Sequence, residues 1–96
     1  MISSKQRSYL RGLANTIQPI FQVGKNGIDE SFIKQVEDAL EARELIKIRV
    51  LNNNEYTARE ASDEICERIN CEGVQAIGST LVLYKRSENK PKIELP

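Results

Sequence analysis

Apolar positions along the chain change spacing several times, and each change marks an element. Leu10, Leu13, Ala14 and Ile17 recur at helical intervals. Ser3 or Ser4 stands where an N-cap belongs, so a first helix is predicted to about Asn15. Gly12 weakens that helix by about 1 kcal/mol relative to alanine, and Pro19 turns Gln18 away from helical geometry. Ile20 to Val23 reads as a short strand. Ile28, Phe32, Ile33, Val36, Ala39 and Leu40 then form a helical stripe that Asp29 can cap and that ends near Arg43. On this helix Glu37, Asp38, Glu41 and Glu44 are expected to face water.

Leu45 to Leu51 gives the clearest strand pattern. Ile46, Ile48 and Val50 share one face, while Lys47 and Arg49 lie on the other between Leu45 and Leu51. Asn52 to Asn54 has turn composition. Thr57 and Glu60 match a capping box opening a third helix with Ala58, Ala61, Ile65 and Ile69 on its inner face. Gly73 is expected to end it. Val74 to Ile77 and Thr80 to Arg86 read as two strands joined through Gly78-Ser79, and glycine first suits a type II′ turn. Ser87 to Lys92 is polar, and a mobile tail is expected over 87–96, although Ile93 and Leu95 alternate in a way that can dock. The order is α-β-α-β-α-β-β. The predicted class is α/β (α+β), a mixed four-stranded sheet packed with helices, with each interior helix crossing between parallel strands and a closing antiparallel hairpin.

With 96 residues the chain is expected to be a single domain, 1–96. No apolar segment follows Met1, and the longest apolar run, Leu81 to Tyr84, is far too short for a bilayer; a cytoplasmic protein with no membrane partner is expected. Cys66 and Cys71 are the only cysteines and histidine is absent. That excludes a structural zinc of the usual kind and leaves two reduced thiols as the expectation. No metal or cofactor is predicted.

Net charge is zero, but the charge is not spread evenly. From Met1 to Ile28 there are only cations: Lys5, Arg7, Arg11 and Lys25. Asp29 to Glu44 and Glu55 to Glu72 each carry six acids, Lys47 and Arg49 lie between those blocks, and Lys85, Arg86, Lys90 and Lys92 follow them. Such a molecule can meet a polyanion on one side and stay soluble through the other.

Gly24-Lys25-Asn26-Gly27 joins the first strand to the second helix. Two glycines let another backbone approach, and a lysine sits at the tip. A helix N-terminus behind the turn favours anions. The same glycines would also serve an ordinary strand-to-helix turn. The loop is not a Walker A, and it lacks the third glycine of a dinucleotide fingerprint. No catalytic constellation can be assembled without histidine, from carboxylates that lie mostly on helix exteriors, so no enzyme is expected and no catalytic residue is assigned. Binding is easier to build. A Gly-x-x-Gly loop clamps backbone nucleotides in KH domains, where it joins two helices rather than a strand and a helix. The candidate RNA-contacting residues are Gly24, Lys25, Asn26 and Gly27, flanked by Lys5, Arg7, Arg11, Lys47, Arg49, Lys85 and Arg86. The few aromatics, Tyr9, Phe21, Phe32, Tyr56 and Tyr84, read as core or rim, which favours contacts to backbone and shape over base readout.

Three stretches carry a family resemblance. Leu10 to Ala14 with Pro19 to Gly27 resembles the opening of a CRM domain (chloroplast RNA splicing and ribosome maturation). Ala39 to Val50 and Gln75 to Arg86, closed by Ile93 to Pro96, continue it over nearly the whole chain, which is similar to stand-alone bacterial YhbY-like members. The resemblance implies a fold like the C-terminal domain of translation initiation factor three. It also implies RNA binding through Gly24 to Gly27, and a role with ribosomal RNA in precursors of the large ribosomal subunit. The chain departs from the family at Arg43, where members often carry histidine; arginine keeps a group able to pair with phosphate. The expectation is an RNA-binding, monomeric ribosome assembly factor. The alternative is a protein-interaction module whose acidic helices dock on a basic ribosomal protein.

Overall fold

The computed structural model describes residues 2–25, 27–51 and 56–96. Among the described residues, seven elements follow the predicted order: α1 (Ser4–Ala14), β1 (Pro19–Val23), α2 (Glu30–Arg43), β2 (Leu45–Val50), α3 (Ala58–Ile69), β3 (Glu72–Ile77) and β4 (Thr80–Tyr84). Side chains set the helix starts. Ser3 accepts the Gln6 N–H while Gln6 reaches back to the Ser3 N–H, and Thr57 and Glu60 do the same for α3. Asp29 caps α2.

The strands form one sheet in the order β1-β2-β4-β3. β1 runs parallel to β2, and β4 is antiparallel to both β2 and β3. β2 and β3 therefore point the same way, as a crossover helix requires, but α3 carries the chain past one vacant position and β4 folds back into it. The hairpin turn holds Gly78 at φ +60°, and the Ser79 carbonyl accepts the Val50 N–H at 2.7 Å, locking the hairpin tip to the end of β2. The predicted Asn52–Asn54 turn lies outside the described residues.

Alternation along the strands divides the interior into two cores. Ile46, Ile48 and Val50 of β2 and Leu81 and Leu83 of β4 face Ile33, Val36 and Leu40 of α2 and Ala61, Ile65 and Ile69 of α3. On the other face Leu45, Val82 and Tyr84 pack with Leu10 and Ala14 of α1, and Ile93 and Leu95 of the C-terminal segment lean on that cluster. β4 is buried on both faces, so it reads as a continuous apolar run rather than an alternation.

Two readings are corrected. Glu44 does not face water but is fully buried, 0% exposed, as the C-cap of α2 with φ +67°. Its carboxylate accepts backbone N–H groups from Ser87, Lys92 and Ile93, while Glu41 accepts from the Ser87 hydroxyl and the Glu88 and Asn89 N–H groups. The 87–96 segment lacks regular secondary structure yet has this specific seat. Gly73, in turn, does not end α3. Asn70 does, in the left-handed conformation at φ 58°, ψ 45°. Gly73 belongs to β3, and a Cβ there would stand 2.9 Å from the Ser62 hydroxyl oxygen.

That spacing makes an opposed pair of predictions. Gly73→Ala is expected to destabilise by about 1–3 kcal/mol through overpacking. Gly12→Ala, whose added Cβ meets nothing within 4 Å, is expected to stabilise α1 by about 0.5–1 kcal/mol. Thermal unfolding of both variants checks the opposite signs.

Candidate nucleic-acid interface

β1 ends where the Val23 carbonyl accepts the Leu51 N–H, and the chain turns at once. The Gly24 carbonyl accepts the Gly27 N–H at 3.0 Å, closing the turn around Lys25. The two glycines are there for different reasons. Gly27 sits at φ +69°, a conformation that L side chains resist. Gly24 has no positive φ, and a Cβ on it would find only an ordinary 3.6 Å contact with Leu51. Backbone geometry demands glycine at 27; the fold does not demand it at 24. Asn26 lies outside the described residues.

The end of α2 is less available to anions than its position suggests. The Asp29 carboxylate already accepts the Phe32 N–H at 2.8 Å, and Glu30 adds a second acid to the first turn. The positive potential must come from side chains. Lys25 is exposed and lines a concavity with Gln22, Gly24, Gly27, Ser31 and Gln35, and with Asp29, whose carboxylate is the acid there. A second concavity continues along the free edge of β1 through Gln22, Phe32 and Gln35 to exposed Arg49. Gln22 and Arg49 are register partners across β1 and β2, and Gln22, Phe32 and Gln35 line both concavities, so the lysine and the arginine stand along the same edge. Phe21 and Phe32 meet edge to face at 6.1 Å beside it, partly buried against the core, as the rim reading expected.

A brace fixes the loop from α3. Arg68 Nη1 donates to the Ile28 carbonyl at 2.9 Å. Glu64 pairs with Arg68 at 3.7 Å and accepts the Tyr56 hydroxyl at 2.7 Å. The Tyr56 ring stands 3.7 Å from where a Gly27 Cβ would lie. Nothing local in the sequence points to this network, because Arg68 is 40 positions from the carbonyl it holds and reads as an ordinary cation in the last turn of a helix.

The other candidate cations fall elsewhere. Lys47 is half-buried on the Arg49 face of β2. Arg7 donates from Nε to the Gly73 carbonyl at 3.2 Å and, with Arg11 and Arg59, lines a concavity beside β3, the opposite edge of the sheet from β1. Lys5 is exposed on α1. Lys85 and Arg86 follow Tyr84, which pairs with Leu45 at the start of β2, so they lie at the other end of the sheet from the glycine turn. They border Glu37, Asp38, Glu41 and Glu88 there. Arg43 is exposed in the last turn of α2, about 20 Å of helix from Asp29. The cations thus form a loop-end group of Lys25 and Arg49 with Lys47 nearby, an α1–β3 group, and a distal pair among acids.

A split β-α-β sheet, covered on both faces and carrying a glycine turn at one end of its β1 edge, defines a small α+β domain. The chain belongs to the CRS1/YhbY (CRM) domain family, which it matches over residues 2–85. It is 46% identical to the Probable RNA-binding protein YqeI of Bacillus subtilis over 96 residues, the whole of both chains. With an RNA-binding protein of Haemophilus influenzae it shares 38% identity over 95 residues, covering 99% of this chain and 95% of that one. Its fold matches the solution structure of a Staphylococcus aureus protein described as a candidate RNA-binding protein, at a TM-score of 0.82 and 50% identity over the whole of both chains.

Proposed function

We propose that the protein binds RNA, with ribosomal RNA in precursors of the large subunit as its target, and acts in the cytoplasm as a monomeric, non-enzymatic assembly factor. The observation that carries the reading is a pair of adjoining concavities along the β1 edge, one holding Lys25 beside a main-chain turn that has no side chain at Gly24, the other reaching Arg49. Phosphates meet the two cations, and the bare turn lets the ribose-phosphate backbone come close. The RNA class is supported by the names of the relatives, and the ribosomal target by the family resemblance. Lys47 extends the track, and Arg7, Arg11 and Lys5 form a separate contact around the opposite edge. Of the acids that favour a protein-docking module, Glu41 and Glu44 are engaged by the chain's own C-terminal segment, whereas Glu37 and Asp38 stay exposed, so charge reversal at Glu37 beside Lys25→Ala separates the two readings.

Binding of precursor ribosomal RNA is expected to weaken steeply with salt through counterion release. Lys25→Ala should lower affinity about equally for all sequences and flatten the slope of log K against log salt by about 0.7 for a single-stranded target. Filter binding across a salt series measures both. A flat slope together with unchanged Lys25→Ala affinity would rule out the mechanism. Crosslinking in cells tests the target, and recovery of messenger rather than ribosomal sequences would overturn that part alone.

A further inference from the structure

α3 ends at Asn70 in the left-handed conformation, which reverses the chain within one residue. The reversal carries Cys71, the next residue, back against Cys66 in the last full turn of α3. The Cys71 thiol donates to the Cys66 sulfur, with the two sulfurs 3.3 Å apart. A Cβ at Gly73 would make only an ordinary 3.8 Å contact with the Cys66 sulfur, its tight neighbour being the Ser62 oxygen at 2.9 Å. The two thiols differ in access. Cys71 is 7% exposed, at the edge of the α2–α3 core. Cys66 is partly exposed and opens into the concavity lined by Arg7, Arg11, Arg59 and Asp63.

We propose that Cys66 and Cys71 form a reversible dithiol–disulfide site oxidised by a peroxide, with Cys66 the attacking sulfur and Cys71 the resolving one. Closing 3.3 Å to the ~2.05 Å of a disulfide needs only a shift at a helix end and a strand start, not a rearrangement of the sheet. The hydrogen bond from Cys71 lowers the proton affinity of Cys66 against its burial, and the Ser62 hydroxyl adds to this, although Glu72 and Asp63 oppose it. The same bond raises Cys71, and burial raises it further. The open thiol is thus the better nucleophile and the buried one is held in reserve.

In the first step the Cys66 thiolate attacks one peroxide oxygen; an S–O bond forms, the O–O bond breaks, and hydroxide leaves to become water with the thiol's proton. In the second step the Cys71 sulfur attacks Cys66; the S–S bond forms, the S–O bond breaks, and the departing hydroxide takes the Cys71 proton as water. Hydrogen peroxide and two thiols give one disulfide and two waters. The sulfurs lose two electrons and the peroxide oxygens gain them. This site does not depend on the RNA reading.

The test uses the full chain, reduced and then exposed to hydrogen peroxide, with thiol alkylation and mass spectrometry. Both thiols should disappear together with the loss of two hydrogens. Trypsin cleaves after Arg68, between the cysteines, so the two peptides should stay linked until a dithiol reductant parts them. Cys71→Ser should halt at a Cys66 sulfenic acid that dimedone traps. Cys66→Ser should leave Cys71 reacting at least about tenfold more slowly than Cys66 does in the wild type. Persistence of two alkylatable thiols in the wild type, or oxidation to sulfinic acid with no linked peptide, would overturn the site. Equal reactivity of Cys71 in Cys66→Ser would overturn the assigned roles.

Discussion

Glu44→Ala is expected to lower stability by about 3 kcal/mol and the unfolding midpoint by about 12–24 °C, unusually large for a glutamate in a helix-end position. The carboxylate accepts three backbone N–H groups, two on one oxygen from Lys92 and Ile93 and one on the other from Ser87 at 2.7 Å. Without it the C-terminal segment has two options. It can stay and orphan buried donors, each costing about 1–3 kcal/mol. It can also peel away and expose Ile93 and Leu95, which now lean on the α1 core. Peeling sets the upper bound, so the loss stays near one turn's worth of interactions and the sheet itself survives. Glu44→Gln is less severe but not silent, because its amide nitrogen must face either the Ser87 donor or the Lys92 and Ile93 pair. Glu44→Gly should be about 1 kcal/mol more stable than Glu44→Ala, since both lack the carboxylate but only glycine relaxes at φ +67°. Thermal unfolding gives the order, and hydrogen exchange at the Ser87 and Ile93 amides reports the peeling. An unchanged midpoint for the alanine variant would show that the buried carboxylate is not what seats the segment.

The same seat gives a pH dependence. Burial raises the Glu44 proton affinity, but the Ser87, Lys92 and Ile93 N–H groups and the Lys92 charge outweigh it, and the carboxyl ends below the usual glutamate range. Glu41 is lowered as well, chiefly by the Ser87 hydroxyl and then by the Glu88 N–H. A carboxyl that is more acidic in the folded than in the unfolded state stabilises fully above the unfolded value, near ~4.3, and loses that contribution as pH falls through the folded value. Wild-type stability should therefore fall with acidification below that point, and Glu44→Gln should show a shallower fall across the same window.

Local chemistry announced most of the architecture. Ser3, Asp29 and Thr57 begin the helices they were expected to begin, and Ile46, Ile48 and Val50 face the core as their alternation requires. The misreadings have one physical source. Glu44 carries the composition of a solvated helix face, and only the return of residues 87–93 from the far end of the chain makes it an interior acceptor. Gly73 looks like a helix stop because Asn70, a less common left-handed residue, had already done that work three positions earlier. The slot that β4 fills between β2 and β3 is likewise a long-range choice that strand propensity does not encode. At the candidate site the turn and its lysine were legible. The grouping was not: Lys85 and Arg86 are basic like Lys25, yet the register sends them to the other end of the sheet, while Arg68, 40 positions away in the last turn of α3, bonds the Ile28 carbonyl.

That grouping makes the largest functional prediction. The double variant Lys25→Ala/Arg49→Ala should weaken binding of precursor ribosomal RNA by about 10–100-fold at moderate salt, since each charge-assisted phosphate contact contributes about 1 kcal/mol or more. Its salt slope should flatten by about 1.4, twice the single-site value. Both side chains are exposed, so the unfolding midpoint should hold. Lys85→Ala/Arg86→Ala removes the same charge from the far end of the sheet, among Glu37, Asp38 and Glu41, and should change affinity several-fold less. Gly24→Val adds a steric arm. The position has no positive φ, and the first added carbon meets only an ordinary contact with Leu51, so the variant is expected to fold and, with a side chain on the bare turn, to bind less tightly. Equal losses for the two double variants would mean that the RNA responds to net charge rather than to this groove. Loss confined to Lys85→Ala/Arg86→Ala would move the binding face to the opposite end of the sheet, where the glycine turn plays no part.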